Sequence, residues 1–201
     1  FDGCVQLNDL LDLLGTYGDC GAEESAWQCG DPLEYQGYEY ATVQIGEQCW
    51  FAENLRSKNF RNGDEIAGVQ SGSDWLEADE ALVSIYGQDG FGCWSYVPGG
   101  DACDEEFSLE EFGRQYNGHA VVDERGLCPV GWSTPSDQNW IEMEVAAGLN
   151  PAVAFDIGYR GEELGGVLKS TSGWAANNGN NDVGFEGKAG GKIQSSDGFC
   201  D

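Results

Sequence analysis

Trp174, Asn177, Asn178, Asn180, Asn181 and Asp182 crowd into one Gly-rich stretch, GGVLKSTSGWAANNGNNDVGFEGKAGG, residues 165–191. Side-chain amides both donate and accept hydrogen bonds, which suits sugar hydroxyls. An indole supplies a flat apolar face with a polar edge. Amide carbonyls beside a carboxylate also suit calcium. The opposing reading is conformational, because Asn and Gly satisfy tight turns and left-handed backbone positions. No helix or long strand fits the stretch. It is expected to be an ordered irregular loop anchored by Trp174 and Phe185, and loops of such length in a compact domain are often functional.

A second candidate lies at the start. Asp2-Gly3 followed by Asp9 has the spacing of the back half of an EF-hand loop. Leu7, Leu10, Leu11 and Leu14 then recur along one helical face up to Gly15. Residues 1–21 resemble half of a dockerin repeat, with Asp2 and Asp9 as partial calcium ligands. Two carboxylates cannot fill a calcium shell, so a plain helix held by Cys4 and Cys20 is the competing reading. Calcium is possible and no cofactor is required.

The eight cysteines, at 4, 20, 29, 49, 93, 103, 128 and 200, form no CxxC pair, and His119 is the single histidine. Zinc spacing is therefore missing. An even count scattered through Gly-rich sequence points to disulfides in an oxidising compartment. Proximity along the chain pairs Cys4 with Cys20 and Cys93 with Cys103. Cys29–Cys49 is the next choice, and Cys128–Cys200 follows by elimination. A reactive thiol would need exposure and basic neighbours. No nucleophile elbow, phosphate loop or dinucleotide fingerprint is present. A structural role is the plainer reading of His119.

Thirty-six acidic residues against nine basic ones leave a formal charge of −27. Such a chain repels nucleic acid and anionic membrane surfaces, and it holds no apolar run long enough to insert in a bilayer. The partners left are a glycan or another surface protein; the oligomeric state is unspecified. Surface solvation explains most of the acids without invoking cation sites.

The elements that must position these residues are short. Residues 22–34 read as a polar linker. YEYATVQIGEQCWFAENL carries two β-favouring runs around Gly46-Glu47, a hairpin. Residues 57–112 are loop-rich. STPSDQNWIEMEVAAG, residues 133–148, predicts a helix with Thr134 as N-cap, Pro135 in its first turn and Gly148 after its end. The expected class is α+β: short twisted antiparallel strands, one well-capped helix and long irregular loops.

TVQIGEQCWFAENLR, RNGDEI, GRQYN, RGLCPVGWSTPSDQNW and LKSTSGWAANNGNNDVGF occur here in the order typical of the Fibrobacter succinogenes major paralogous domain. The resemblance runs over residues 35–191, within a domain taken as 35–201. Three places depart from the pattern: Gly118-His119 replaces an aromatic pair, Ser133 replaces a His, and EGKAGG lacks a Pro. The resemblance implies a secreted or surface-attached bacterial protein with a C-type-lectin-like fold, the scaffold also used by formylglycine-generating enzymes. It implies no particular reaction. The chain opens on Phe1 and stops where the family pattern continues, so a piece truncated at both ends of something longer is expected. The functional expectation is an extracellular binding or adhesion module rather than an enzyme, with glycan as the ligand class. An oxidase of formylglycine-generating type, a cryptic hydrolase and a structural spacer are the alternatives. Trp50 and Trp132 lie in the shared motifs, where core packing competes with a stacking role.

Overall fold

The computed structural model describes residues 26–69, 72–87, 100–158, 160–161, 163–174, 177–194 and 198–200. The helix expected at 7–14, the half calcium loop at Asp2 and Asp9, and the Cys4–Cys20 pair lie outside the described residues.

The fold is α+β, with the described strands in four small sheets. β1 (Leu33–Tyr35) and β2 (Tyr38–Tyr40) form an antiparallel hairpin that begins inside the stretch expected to be linker. β3 (Thr42–Ile45) and β4 (Gln48–Phe51) form the hairpin expected around Gly46-Glu47, with Val43 opposite Trp50 and Gln44 opposite Cys49. β6 (Leu82–Ile85) sits between β5 (Ala67–Gly68), parallel to it, and β7 (Arg114–Tyr116), antiparallel to it. β8 (Lys192–Gln194) pairs antiparallel with β9 (Gly198–Cys200).

Among the described residues are five short α-helices, α1 (Gly72–Glu77), α2 (Glu105–Phe112), α3 (Gly118–Val122), α4 (Asp137–Ala146) and α5 (Leu164–Leu168), and one 3-10 turn, Pro151–Val153. The expected helix is α4, but its N-cap is Ser136 rather than Thr134. The Ser136 side chain accepts from the Asn139 amide, and the Asn139 side chain returns the bond to the Ser136 amide. Pro135 therefore precedes the cap. Both Thr134 and Ser136 have cap chemistry; the second won because Asn139 stands three residues beyond it. The loop-rich reading of 57–112 missed β6 and α2. All four residues of β6 are buried, and a short apolar run carries no periodicity to mark it. Asp104 caps α2 by accepting from the Phe107 amide. The stretch expected to lack helix contains α5, a single turn or so.

Among the described residues, the buried apolar side chains form three clusters. One cluster joins Phe60, Ile66, Val83, Ala120 and Leu127; a second joins Tyr86, Ala102 and Phe112; a third joins Ile141, Leu149, Ala154 and Leu164. With so little regular structure between them, side chains bracket the backbone. Asn117 caps α3 through Ala120 N, accepts from Leu82 N and donates to Glu80 O. Arg56 donates to Glu39 O and to the Glu53 carboxylate, and lies over the Tyr38 and Tyr40 rings. The shared motif residues Glu53, Asn54, Arg56 and Asn117 are thus structural brackets.

Cys29 and Cys49 are bridged, with Cα atoms 5.8 Å apart. Cys103 is also disulfide-bonded; Cys93 lies outside the described residues. Cys128 carries a free thiol, which corrects the Cys128–Cys200 pairing. Elimination assumed that every cysteine pairs, whereas Cys128 is packed half-buried against the Phe60–Leu127 cluster.

The Cys29–Cys49 bridge closes a loop of sequence separation 20 and ties β4 to the chain entering β1. On loop entropy, C29A/C49A should lose about 3 kcal/mol of unfolding free energy in urea titrations. A loss below roughly 0.5 kcal/mol would show that native packing already restrains this segment without the bridge.

Candidate functional site

β4 turns Trp50 and Phe51 toward two aromatic groups. Trp50 meets Trp140 of α4 at 5.0 Å between ring centroids, and both meet Phe185 edge-on, at 6.0 and 5.9 Å. Phe51 stacks on Trp132 at 4.6 Å and 11°, and Trp27 meets Trp132 edge-on at 5.8 Å. Between and beneath these groups opens a cleft of about 650 Å³. Trp50, Phe51, Trp132, Trp140 and Phe185 are all half-buried along its walls, and Trp27 is exposed.

Trp50 and Trp132 are half-buried: each packs against other rings, outside the three buried clusters, and each also lines the cleft. Trp140 was not singled out in the sequence, although it sits in the QNW end of a shared motif. α4 carries it beside Asn139, whose carbonyl is used by the Ser136 cap while its amide nitrogen makes no hydrogen bond among the described residues. The same is true of the Trp132 and Trp140 indole N–H groups and the Thr134 hydroxyl. The Trp50 indole N–H donates to Gln48 at 3.2 Å.

Leu55, Arg114, Tyr116, Leu127 and Cys128 also line the cleft, with Leu127 buried and the others half-buried. Strand alternation puts Arg114 and Tyr116 on one face of β7 and Gln115 on the other, where it donates to Gly190 O. Burial raises the Tyr116 phenol far above its ordinary range, and its hydroxyl donates to Ser57 O. Burial also raises the Cys128 thiol, a shift that the Arg61 charge only partly offsets. The thiol in this cleft is therefore neutral at physiological pH. His119 is exposed on α3 and does not line the cleft.

The Asn-rich loop is arranged otherwise than a cluster of outward donors. Asn178 accepts from the Trp174 amide at 3.0 Å, and the Trp174 indole donates to Gly187 O at 3.1 Å. Lys169 lies over the Trp174 ring at 4.4 Å. Asn181 accepts from the Glu186 amide at 2.9 Å and donates to the Glu186 carboxylate. Asn177 and Asn181 hold φ of +55° and +53°. Asn180 and Asp182 bond each other at 2.7 Å on the exposed side. A Cβ on Gly179 would lie 2.1 Å from Lys169 O, so the loop folds onto the chain beside it. None of Trp174, Asn177, Asn178, Asn180, Asn181 or Asp182 lines the cleft. The loop instead delivers Phe185, Glu186 and Gly187 to its wall. Among the described residues, no group of three His, Cys, Asp or Glu side chains is placed to hold a metal ion, and no helix is long and apolar enough to cross a membrane.

Short antiparallel strands, small helices and bracketed loops around an aromatic cleft define an α+β domain. The chain belongs to the Fibrobacter succinogenes major domain family, whose pattern matches residues 43–200. All of the cleft except Trp27 falls inside that match. No curated protein and no solved structure matches the chain.

The raised groups make stability depend on alkaline pH. An unfolded thiol releases its proton near about pH 8.5 and an unfolded phenol near about pH 10. The folded protein holds both protons to higher pH, so the unfolded state binds fewer and stability falls as pH rises. Cys128 governs the first decline, and Tyr116, Tyr40 and Tyr35 the second. Both contributions are full at pH 7. Thermal midpoints measured from pH 7 to 11 should drop from about pH 8.5 in the parent, and only from about pH 10 in C128A. Coincident curves would show that Cys128 ionises freely.

Proposed function

We propose that this domain is an extracellular or cell-surface binding module, that its ligand is a glycan, and that the Trp50–Trp132–Trp140 cleft is the binding site. The observation that carries the reading is the set of half-buried aromatic walls facing about 650 Å³ of open space. Rings in that state retain face area that a ligand can cover, and the unused Trp132 and Trp140 N–H groups and Thr134 hydroxyl offer directional bonds. Apolar faces mixed with donors and acceptors suit a saccharide. The compartment rests on the disulfides and on the family, and the lectin-like scaffold on the family resemblance alone. The reading needs no cofactor. The Asn-rich loop supports it as a device that seats Phe185, not as the contact surface.

An oxidase of formylglycine-generating type would require a thiolate. Cys128 is the free thiol in the cleft, and its burial favours the protonated form. That observation favours binding over such catalysis.

The test is retention on a panel of oligosaccharides. Losing one stacking wall removes burial worth roughly 1.5–3 kcal/mol, so W132A and W140A should each weaken binding about 10- to 100-fold, measured at a temperature where the variant is folded. Changing Asn180 and Asp182 together to Ala should leave retention unchanged. Binding that survives W132A and W140A but is lost in the Asn180/Asp182 variant would move the site to the loop. A parent that retains no glycan would favour a spacer.

A further inference from the structure

Nine basic residues serve thirty-six acidic ones in this chain, and an uncompensated cation is therefore an informative exception. Arg56, Lys58, Arg125, Arg160 and Lys188 each meet a carboxylate. Arg61, Lys169 and Arg114 meet none among the described residues; Arg61 is exposed and Lys169 lies over the Trp174 ring, whereas Arg114 is half-buried in the wall of the cleft.

Its position is held at two points. The Arg114 amide donates to Leu55 O at 2.9 Å, and its Nε donates to Arg56 O at 2.8 Å. Gly113 permits this approach: it holds φ +67°, and a Cβ there would stand 2.7 Å from the Asn54 side chain and 3.0 Å from Leu55 O. The guanidinium is thus fixed by its inner nitrogen. Its two terminal nitrogens have no hydrogen bond among the described residues. The carboxylates that share the cleft are already engaged. Glu53 bonds Arg56 at 2.9 Å and accepts from Ala41 N at 2.8 Å; Glu186 accepts from Asn181 and stands 4.0 Å from Lys188.

A partly buried charge is normally paired or fully hydrogen-bonded. A planar fork pre-set beside aromatic walls, with two nitrogens free, matches a carboxylate or sulfate group bidentately. Resting on the glycan reading of the same cleft, we propose that the ligand is an acidic saccharide, and that Arg114 pairs with its carboxylate or sulfate while the tryptophans stack on its rings. The proposal runs against the global charge, which repels anions at long range. Recognition must therefore come from short-range contact inside the cleft, where screening by salt is weak.

The experiment measures retention of matched saccharide pairs by the full chain: oligogalacturonides against their methyl esters, and sulfated galactan oligosaccharides against desulfated ones. A charge-assisted pair should give the acidic member of at least one pair an advantage of about tenfold or more, and the pair that shows it tells carboxylate from sulfate. R114Q should erase that advantage while leaving weak binding of the neutral member, and R114K should keep part of it. The parent comparison stands even where R114Q is unstable. Equal binding of acidic and neutral members by the parent, or an advantage that R114Q preserves, overturns the role of Arg114 and leaves the glycan cleft standing. Retention of none of these saccharides, with W132A no different from the parent, overturns the glycan reading itself.

Discussion

Phe51 lies between Tyr40 and Trp132, stacked on the first at 5.0 Å and on the second at 4.6 Å. Tyr40 is wholly buried, and its hydroxyl accepts from the Arg56 amide at 2.9 Å. Trp132 stands on an irregular segment before α4. The three rings carry order from the interior to a loop that has few backbone bonds of its own, and aromatic pairs of this kind contribute beyond the area they bury. The walls of the cleft hang on this column. β4 contributes its central ring, and the Cys29–Cys49 bridge secures the same strand two residues earlier.

A chain with short strands and split cores cannot rely on sheets to satisfy its backbone. It uses Asn, Arg, Ser and Tyr side chains in their place. Tyr35 donates to Leu127 O, Gln36 to Phe60 O, and Asn54 to Phe112 O. Each joins positions far apart in sequence, so the bracket residues matter as much as the apolar ones. The same logic explains the Asn-rich loop. Its amides close the loop on itself and fix Phe185 and Glu186 at the cleft, so a segment rich in sugar-like chemistry acts as scaffold.

Charge is distributed in two regimes. The chain is strongly acidic, and five of its nine cations are tied to carboxylates, Arg56, Arg160 and Lys188 in partly buried pairs. The cleft is apolar with isolated polar groups, its thiol and its phenol are kept neutral by burial, and its arginine is left uncompensated. Attraction within it is local, because desolvated contacts are strong and the surrounding field is screened within roughly 8 Å at physiological salt.

The α+β class, the family, the β3–β4 hairpin and α4 were legible in the sequence, and Cys29–Cys49 was among the pairings it offered. The first four are local matters: turn chemistry at Gly46, caps near residue 136 and motif order. The cleft was decided by the tertiary structure. Trp50, Trp132, Trp140 and Phe185 come from a strand, a loop, a helix and a second loop, and no periodicity relates them. Cap donors and ligand donors are the same chemical groups, so the Asn-rich loop read alike in either role until its partners were placed. Arg114 and Cys128 show the limit most plainly, since a residue type does not state whether its partner exists. That depends on which side chains the folded backbone brings within about 3 Å of it.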